Sequence, residues 1–133
     1  MEQAAKHFRK RDAILTCLRS TDVHPSADWI FARLKPDYPD ISLGTVYRNL
    51  SLFKKQGLIV SIGTVNGVER FDGNTDPHVH FICTGCCSVT DLPAIAVPDT
   101  LSREVASQTG GQVEQCQLTF TGHCMKCMKG ETA

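Results

Sequence analysis

Two Cys-x-x-Cys pairs, Cys83/Cys86 and Cys124/Cys127, constrain this 133-residue chain more than any other feature. Four thiolates in two matched pairs suit tetrahedral zinc, and a site with four protein ligands has no open position for chemistry. The pairs lie further apart than in a simple zinc ribbon. A zinc site built from them would clamp the C-terminal tail back onto the strand that carries the first pair. The competing reading is two independent redox dithiols. The chain has seven cysteines, an odd number, which argues against a fully paired disulfide framework. Cys17 and Cys116 sit in apolar-patterned segments and are expected to be buried thiols. Cys87 adjoins Cys86 and is either a bystander or an alternative ligand.

The stretch DPHVHFICTGC, residues 76–86, sets His78 and His80 just ahead of the first cysteine pair. Two residues apart on a strand, both imidazoles face one side. The zinc positions are already filled by sulfur, so the histidines need another partner. Asp72, Asp76 and Asp91 lie close by in sequence. Mixed imidazole and carboxylate donors suit Fe(II), Mn(II) or zinc, which implies a second and different metal. The alternative is a pair of surface histidines on a strand.

Around these ligands the chain divides. Net charge is zero, but residues 1–60 carry ten Lys/Arg against six Asp/Glu, and residues 61–133 carry four against eight. A basic front half fits a polyanion partner, although solvated helix faces look similar. The front half reads as helices. FRKRDAILTCLR places Phe8, Ile14, Leu15 and Leu18 near one face. HPSADWIFARLK opens on the start signals Pro25 and Ser26. SLGTVYRNLSLFKKQG has Ser42 as N-cap, Val46, Leu50 and Phe53 at helical spacing, and Gly57 as stop. Two short β-like runs flank Asn66-Gly67, a hairpin turn signal. Three helices and a hairpin make a winged helix-turn-helix. Its third helix would present Thr45, Tyr47 and Arg48 to a major groove. A small helical domain without DNA binding has the same pattern.

DGNTDP, residues 72–77, is a break. Beyond it come strand-like HVHFICTG and CCSVTDL, a helical LSREVASQTGG, and QVEQCQLTFTG, which alternates like a strand. The expected fold is α+β: a winged helix-turn-helix in residues 1–72, a hinge at 73–77, and a small α/β domain in 78–133. The second domain is too small to bury much core and would gain from a metal staple or a partner subunit. The sequence has no stretch apolar and long enough to span a bilayer and no signal-peptide pattern, so the expectation is a cytoplasmic protein without membrane contact.

HPSADWIFARL, SLGTVYRNLSLFKKQGLI, ERFDG, HVHFICTGC and the terminal CMKC, in that order, resemble the ferric uptake regulator superfamily, and within it the peroxide-repressor branch. The resemblance implies a homodimeric, metal-dependent transcription factor and not an enzyme. It would bind double-stranded DNA at a palindromic operator, with the second domain as dimerisation domain. It makes Cys83, Cys86, Cys124 and Cys127 the structural Zn(II) ligands. It assigns a regulatory Fe(II) or Mn(II) to His24, Asp72, His78, His80 and Asp91. His24, beside a helix start, otherwise reads as a capping or surface residue. Asp91 favours the peroxide branch, since iron-uptake members usually carry Glu there. The resemblance further implies that peroxide acting at bound Fe(II) adds one oxygen to His24 or His78, after which metal and DNA are released. It places Lys6 within reach of a minor groove. An iron- or zinc-availability regulator with the same ligands is the nearest alternative. A thiol oxidoreductase or metal hydrolase leaves the winged helix without a role.

Overall fold

The computed structural model describes residues 2–130, with side chains from residue 9 onward. The chain folds as two compact units, Met1–Thr75 and Asp76–Ala133. No helix among the described residues is long and apolar enough to cross a membrane.

The first unit holds α1 (Glu2–Arg19), α2 (Ala27–Leu34), α3 (Leu43–Lys55) and the hairpin β1 (Val60–Val65) and β2 (Val68–Asp72). Helix α1 begins earlier than the apolar pattern indicated. The side chains of Lys6 and Phe8 lie outside the described residues. Each later helix starts at a serine. Ser26 Oγ accepts the Trp29 N–H at 3.2 Å, and Ser42 Oγ accepts the Thr45 N–H at 3.1 Å. Each cap fills one donor that the first helical turn leaves open, worth about 1 kcal/mol. Past α3, Gly57 takes φ 75°, the left-handed stop that a residue with Cβ resists. Asn66 and Gly67 both have positive φ, the geometry of a two-residue hairpin turn whose twist matches its strands.

The helices bury their apolar stripes in one core. Ile14 and Leu18 of α1, Ile30 and Leu34 of α2, and Val46, Leu50 and Phe53 of α3 meet Ile41, Ile59 and Phe71. Each fully buried side chain of this size stabilises the unit by about 1.5–3 kcal/mol. Cys17 stands on the flank of the α1 stripe and is half-buried, against the expectation of full burial. That partial burial still raises its thiol pKa.

The second unit is a three-stranded sheet of order β4-β3-β5. It contains β3 (Val79–Cys83), β4 (Val89–Leu92), β5 (Leu118–Gly122), the helix α4 (Asp99–Thr109) and a single turn, α5 (Met125–Met128). Strand β3 pairs antiparallel with β4 and parallel with β5. As the central strand it is apolar apart from His80 and buried apart from Phe81, which is half-buried. The alternating run before β5 does not all become strand. Pairing starts only at Leu118, so Cys116 falls in a loop and is half-buried, not buried. The apolar core is thin: Val79, Ile82, Cys83 and Val89. Helix α4 buries no residue, and Val105 and Phe120 are exposed.

Candidate metal centres and nucleic-acid interface

The parallel pairing of β3 with β5 brings the two cysteine pairs together. Cys83, the last residue of β3, lies opposite Gly122, the last of β5. Both strands therefore end at one level, and each runs directly into its Cys-x-x-Cys. The Thr84 N–H donates to the Gly122 carbonyl at 2.8 Å and locks the two ends side by side. Cys124 then caps α5, and Cys127 lies one turn on.

The four sulfurs lie within 4.8 Å of one another. Cys83 and Cys127 approach to 3.4 Å, Cys86 and Cys124 to 3.9 Å. Tetrahedral zinc with Zn–S bonds near 2.3 Å needs sulfurs about 3.8 Å apart, so this donor set fits zinc. None of the seven cysteines is in a disulfide. Backbone N–H groups prepare the ligands. Those of Cys124 and Cys86 point at Cys83 Sγ from 3.3 and 3.5 Å, and they push the Cys83 thiol down to about 5. Cys86 Sγ meets Ser88 Oγ at 3.2 Å, and side-chain and backbone hydrogen bonds with Ser88 lower the Cys86 thiol as well. Thiolate is the form that binds metal. Gly85 is required between the ligands, because a Cβ there would stand 2.7 Å from Cys127 Sγ. Cys87 takes φ 63° and donates its N–H to the Cys83 carbonyl. It is not among the four gathered sulfurs.

Strand pairing also assembles the histidines of the second unit. His80 lies directly opposite Asp91 across the β3–β4 ladder. His80 Nε2 and His78 Nε2 each stand 3.2 Å from the same oxygen, Asp91 Oδ1. The two rings are 4.2 Å apart at a tilt of 56°. Both histidines are buried, which removes the surface-pair reading. His78 Nδ1 lies 2.6 Å from the Asp76 carbonyl oxygen. A carbonyl can only accept, so Nδ1 carries the proton and Nε2 keeps the lone pair for a metal. Asp76 thus serves through its backbone, a role that its carboxylate had hidden in sequence.

The first unit prepares a second pair. His24 Nε2 lies 3.3 Å from Asp72 Oδ2, and both residues are buried. His24 takes φ 55° directly before Pro25. That left-handed backbone costs a residue with a Cβ about 1–3 kcal/mol. In each unit imidazole nitrogen faces carboxylate oxygen, and no cysteine among the described residues joins them, a donor set that fits Fe(II), Mn(II) or Zn(II).

On α3, Tyr47 and Arg48 are exposed and Thr45 is half-buried. Ser42 Oγ meets Thr45 Oγ1 at 2.8 Å, and Arg48 Nη2 donates to the same Thr45 Oγ1 at 3.2 Å. Thr45 therefore supports Arg48 as well as facing outward. Lys54 pairs with Glu69 of β2 at 3.3 Å, which ties the helix end to the wing.

The sequence profile of the Ferric uptake regulator family matches residues 2–121. The chain belongs to the ferric uptake regulator family. Regulators of this family respond to metals and act as dimeric DNA-binding repressors. The chain is 35% identical over 118 residues to the peroxide-responsive repressor PerR of Staphylococcus aureus, covering 89% of this chain and 79% of that protein. The Campylobacter jejuni peroxide stress regulator superposes with a TM-score of 0.79 at 29% identity, over 95% of this chain and 94% of the other. The Helicobacter pylori ferric uptake regulator, whose structure has three functional metal-binding sites, matches with a TM-score of 0.72 over 93% and 83% of the two chains. At 21% identity that last likeness speaks for the fold alone. The winged helix-turn-helix followed by a small α/β domain is the family's fold, as the sequence pattern implied.

Proposed function

We propose that this chain is a metal-dependent DNA-binding repressor that senses hydrogen peroxide through oxidation of a ligand histidine. One observation carries the reading. Two buried imidazoles converge on one carboxylate oxygen, Asp91 Oδ1, with His78 already held in the metal-binding tautomer. The identity to a peroxide-responsive repressor supports it.

In this reading Cys83, Cys86, Cys124 and Cys127 hold a structural Zn(II). His24, Asp72, His78, His80 and Asp91 hold one regulatory Fe(II) or Mn(II). Residues 73–77 act as the hinge between the two units. A ligand set drawn from both sides of the hinge ties them together when metal binds. In a homodimer that fixes the spacing of two α3 helices, and matching spacing selects a palindromic operator. Metal and operator then favour one conformation, and the coupling is reciprocal. The exposed Val105 and Phe120 and the unburied α4 are surfaces that a second copy would cover. Tyr47 and Arg48 read bases or phosphates, Thr45 assists Arg48, and Lys6 reaches the minor groove. The protein works in the cytoplasm.

A bound Fe(II) would supply the electron that cleaves the peroxide O–O bond and would regain it from the oxidised ring, so the histidine is the net two-electron reductant. His24 or His78 keeps one oxygen, its ring C–H becoming a C=O, and the second oxygen leaves as water. The oxidised ring is a poorer donor, so the ligand set opens and DNA is released. The anaerobic Fe(II)-loaded protein, given about one equivalent of peroxide, tests this by peptide mass spectrometry, with Mn(II)-loaded protein as control. One added oxygen on His24 or His78 in the iron sample alone is the expected result. Unmodified histidines with Fe(II) bound would instead make the protein a metal-availability regulator. Oxidation confined to cysteines would move the signal to the thiols.

A further inference from the structure

His24 is an unusual place for a ligand. It stands in the loop between α1 and α2, left-handed at φ 55° and followed by proline, and nothing in its own sequence neighbourhood favours that conformation. The restraint comes from β2. Arg70 Nε donates to the His24 carbonyl, and Arg70 Nη2 donates to the Val23 carbonyl at 2.6 Å. The Phe71 N–H donates to the Pro25 carbonyl at 3.0 Å. Three successive carbonyls of the loop are therefore held by two successive residues of the strand. Alternation along β2 gives the arrangement its logic. Arg70 and Asp72 point to one face, and both address this loop. Arg70 holds its backbone, and Asp72 meets the His24 ring at 3.3 Å.

The geometry points to Arg70 as the positioning residue for the regulatory metal. Its planar fork fixes the strained His24 backbone and so aims the imidazole at the place where Asp72 already stands. A lysine would bring the charge without the fork, and one ammonium cannot hold two successive carbonyls in the same fixed geometry. The inference rests on the reading of His24 as a ligand, and its test separates the two.

Mn(II) affinity is measured by competition with a fluorescent chelator on the zinc-containing full chain. The variants are Arg70→Met, Arg70→Lys, His24→Ala and the corresponding doubles. Loss of an orienting partner typically weakens metal affinity about 10–100-fold. That loss is expected for Arg70→Met and a smaller one for Arg70→Lys, with zinc content unchanged. In the His24→Ala background, replacing Arg70 should cost nothing further, because Arg70 acts through His24. Unchanged Mn(II) affinity in the Arg70 variants would overturn the inference. So would an undiminished further loss in the His24→Ala background, since that marks a general effect on the fold. Where Arg70→Met does not fold, Arg70→Lys carries the same comparison. If His24→Ala itself leaves Mn(II) affinity unchanged, the ligand assignment falls and the inference falls with it.

Discussion

Single residues do different work here from what their types announce. His24 is a buried imidazole on a strained backbone. In sequence it is only a residue before a helix start, and the resemblance alone marked it as a ligand. Asp76 had the look of a spare carboxylate, yet its carbonyl sets the tautomer of His78. Gly85 passed unnoticed inside a Cys-x-x-Cys, where it leaves the room that Cys127 Sγ fills. Gly85→Ala places a methyl 2.7 Å from that sulfur. The expected outcome is protein with well under one zinc per chain by elemental analysis. Full zinc content in that variant would show that the turn yields easily. The signal for Gly85 lay in its place between two ligands, where a tight turn needs a small residue. The signal for Arg70 lay in the alternation of ERFDG, once Asp72 was taken as a ligand.

The elements were legible wherever local chemistry sets them. Ser26 and Ser42 cap their helices, Asn66-Gly67 turns the hairpin, and Gly110 ends α4 in the left-handed region. They were less legible where pairing decides, as in the alternating run that becomes strand only at Leu118. Helix α3 is the element with the clearest functional face. Its Arg48 is exposed and braced by Thr45 Oγ1, which reduces the freedom it would lose on meeting DNA. Arg48→Ala should weaken operator binding by about 1–3 kcal/mol if the guanidinium reads a base pair. The discriminating measurement compares operator and unrelated DNA at matched salt. A loss confined to the operator marks base reading, an equal loss on both marks a phosphate contact, and no loss removes Arg48 from the interface.

At the scale of the whole molecule the two units differ in what holds them. The first has a core drawn from three helices and the hairpin. The second buries four apolar residues among those described and gathers four thiols beside them. Its stability should therefore follow its metal, because binding energy at a structural zinc site is folding energy. Stripping zinc under reducing conditions should abolish hydrogen-exchange protection in residues 79–92 and 118–122 while leaving residues 43–55 protected. Protection that survives in both would show that the thin core and its partner suffice without metal. By itself the sequence determined the residue types able to hold a metal, the serine-capped starts of α2 and α3 and the Asn66-Gly67 hairpin turn. These follow from side-chain chemistry and from spacing over a few residues. Tertiary structure decided which ligands meet. Parallel pairing of β3 with β5 joins the cysteine pairs, the β3–β4 register sets Asp91 against His80, and Arg70 carries His24 to Asp72. Each of these joins residues distant in the chain, and strand register and the half-buried Arg70 fork fix them where no local pattern can.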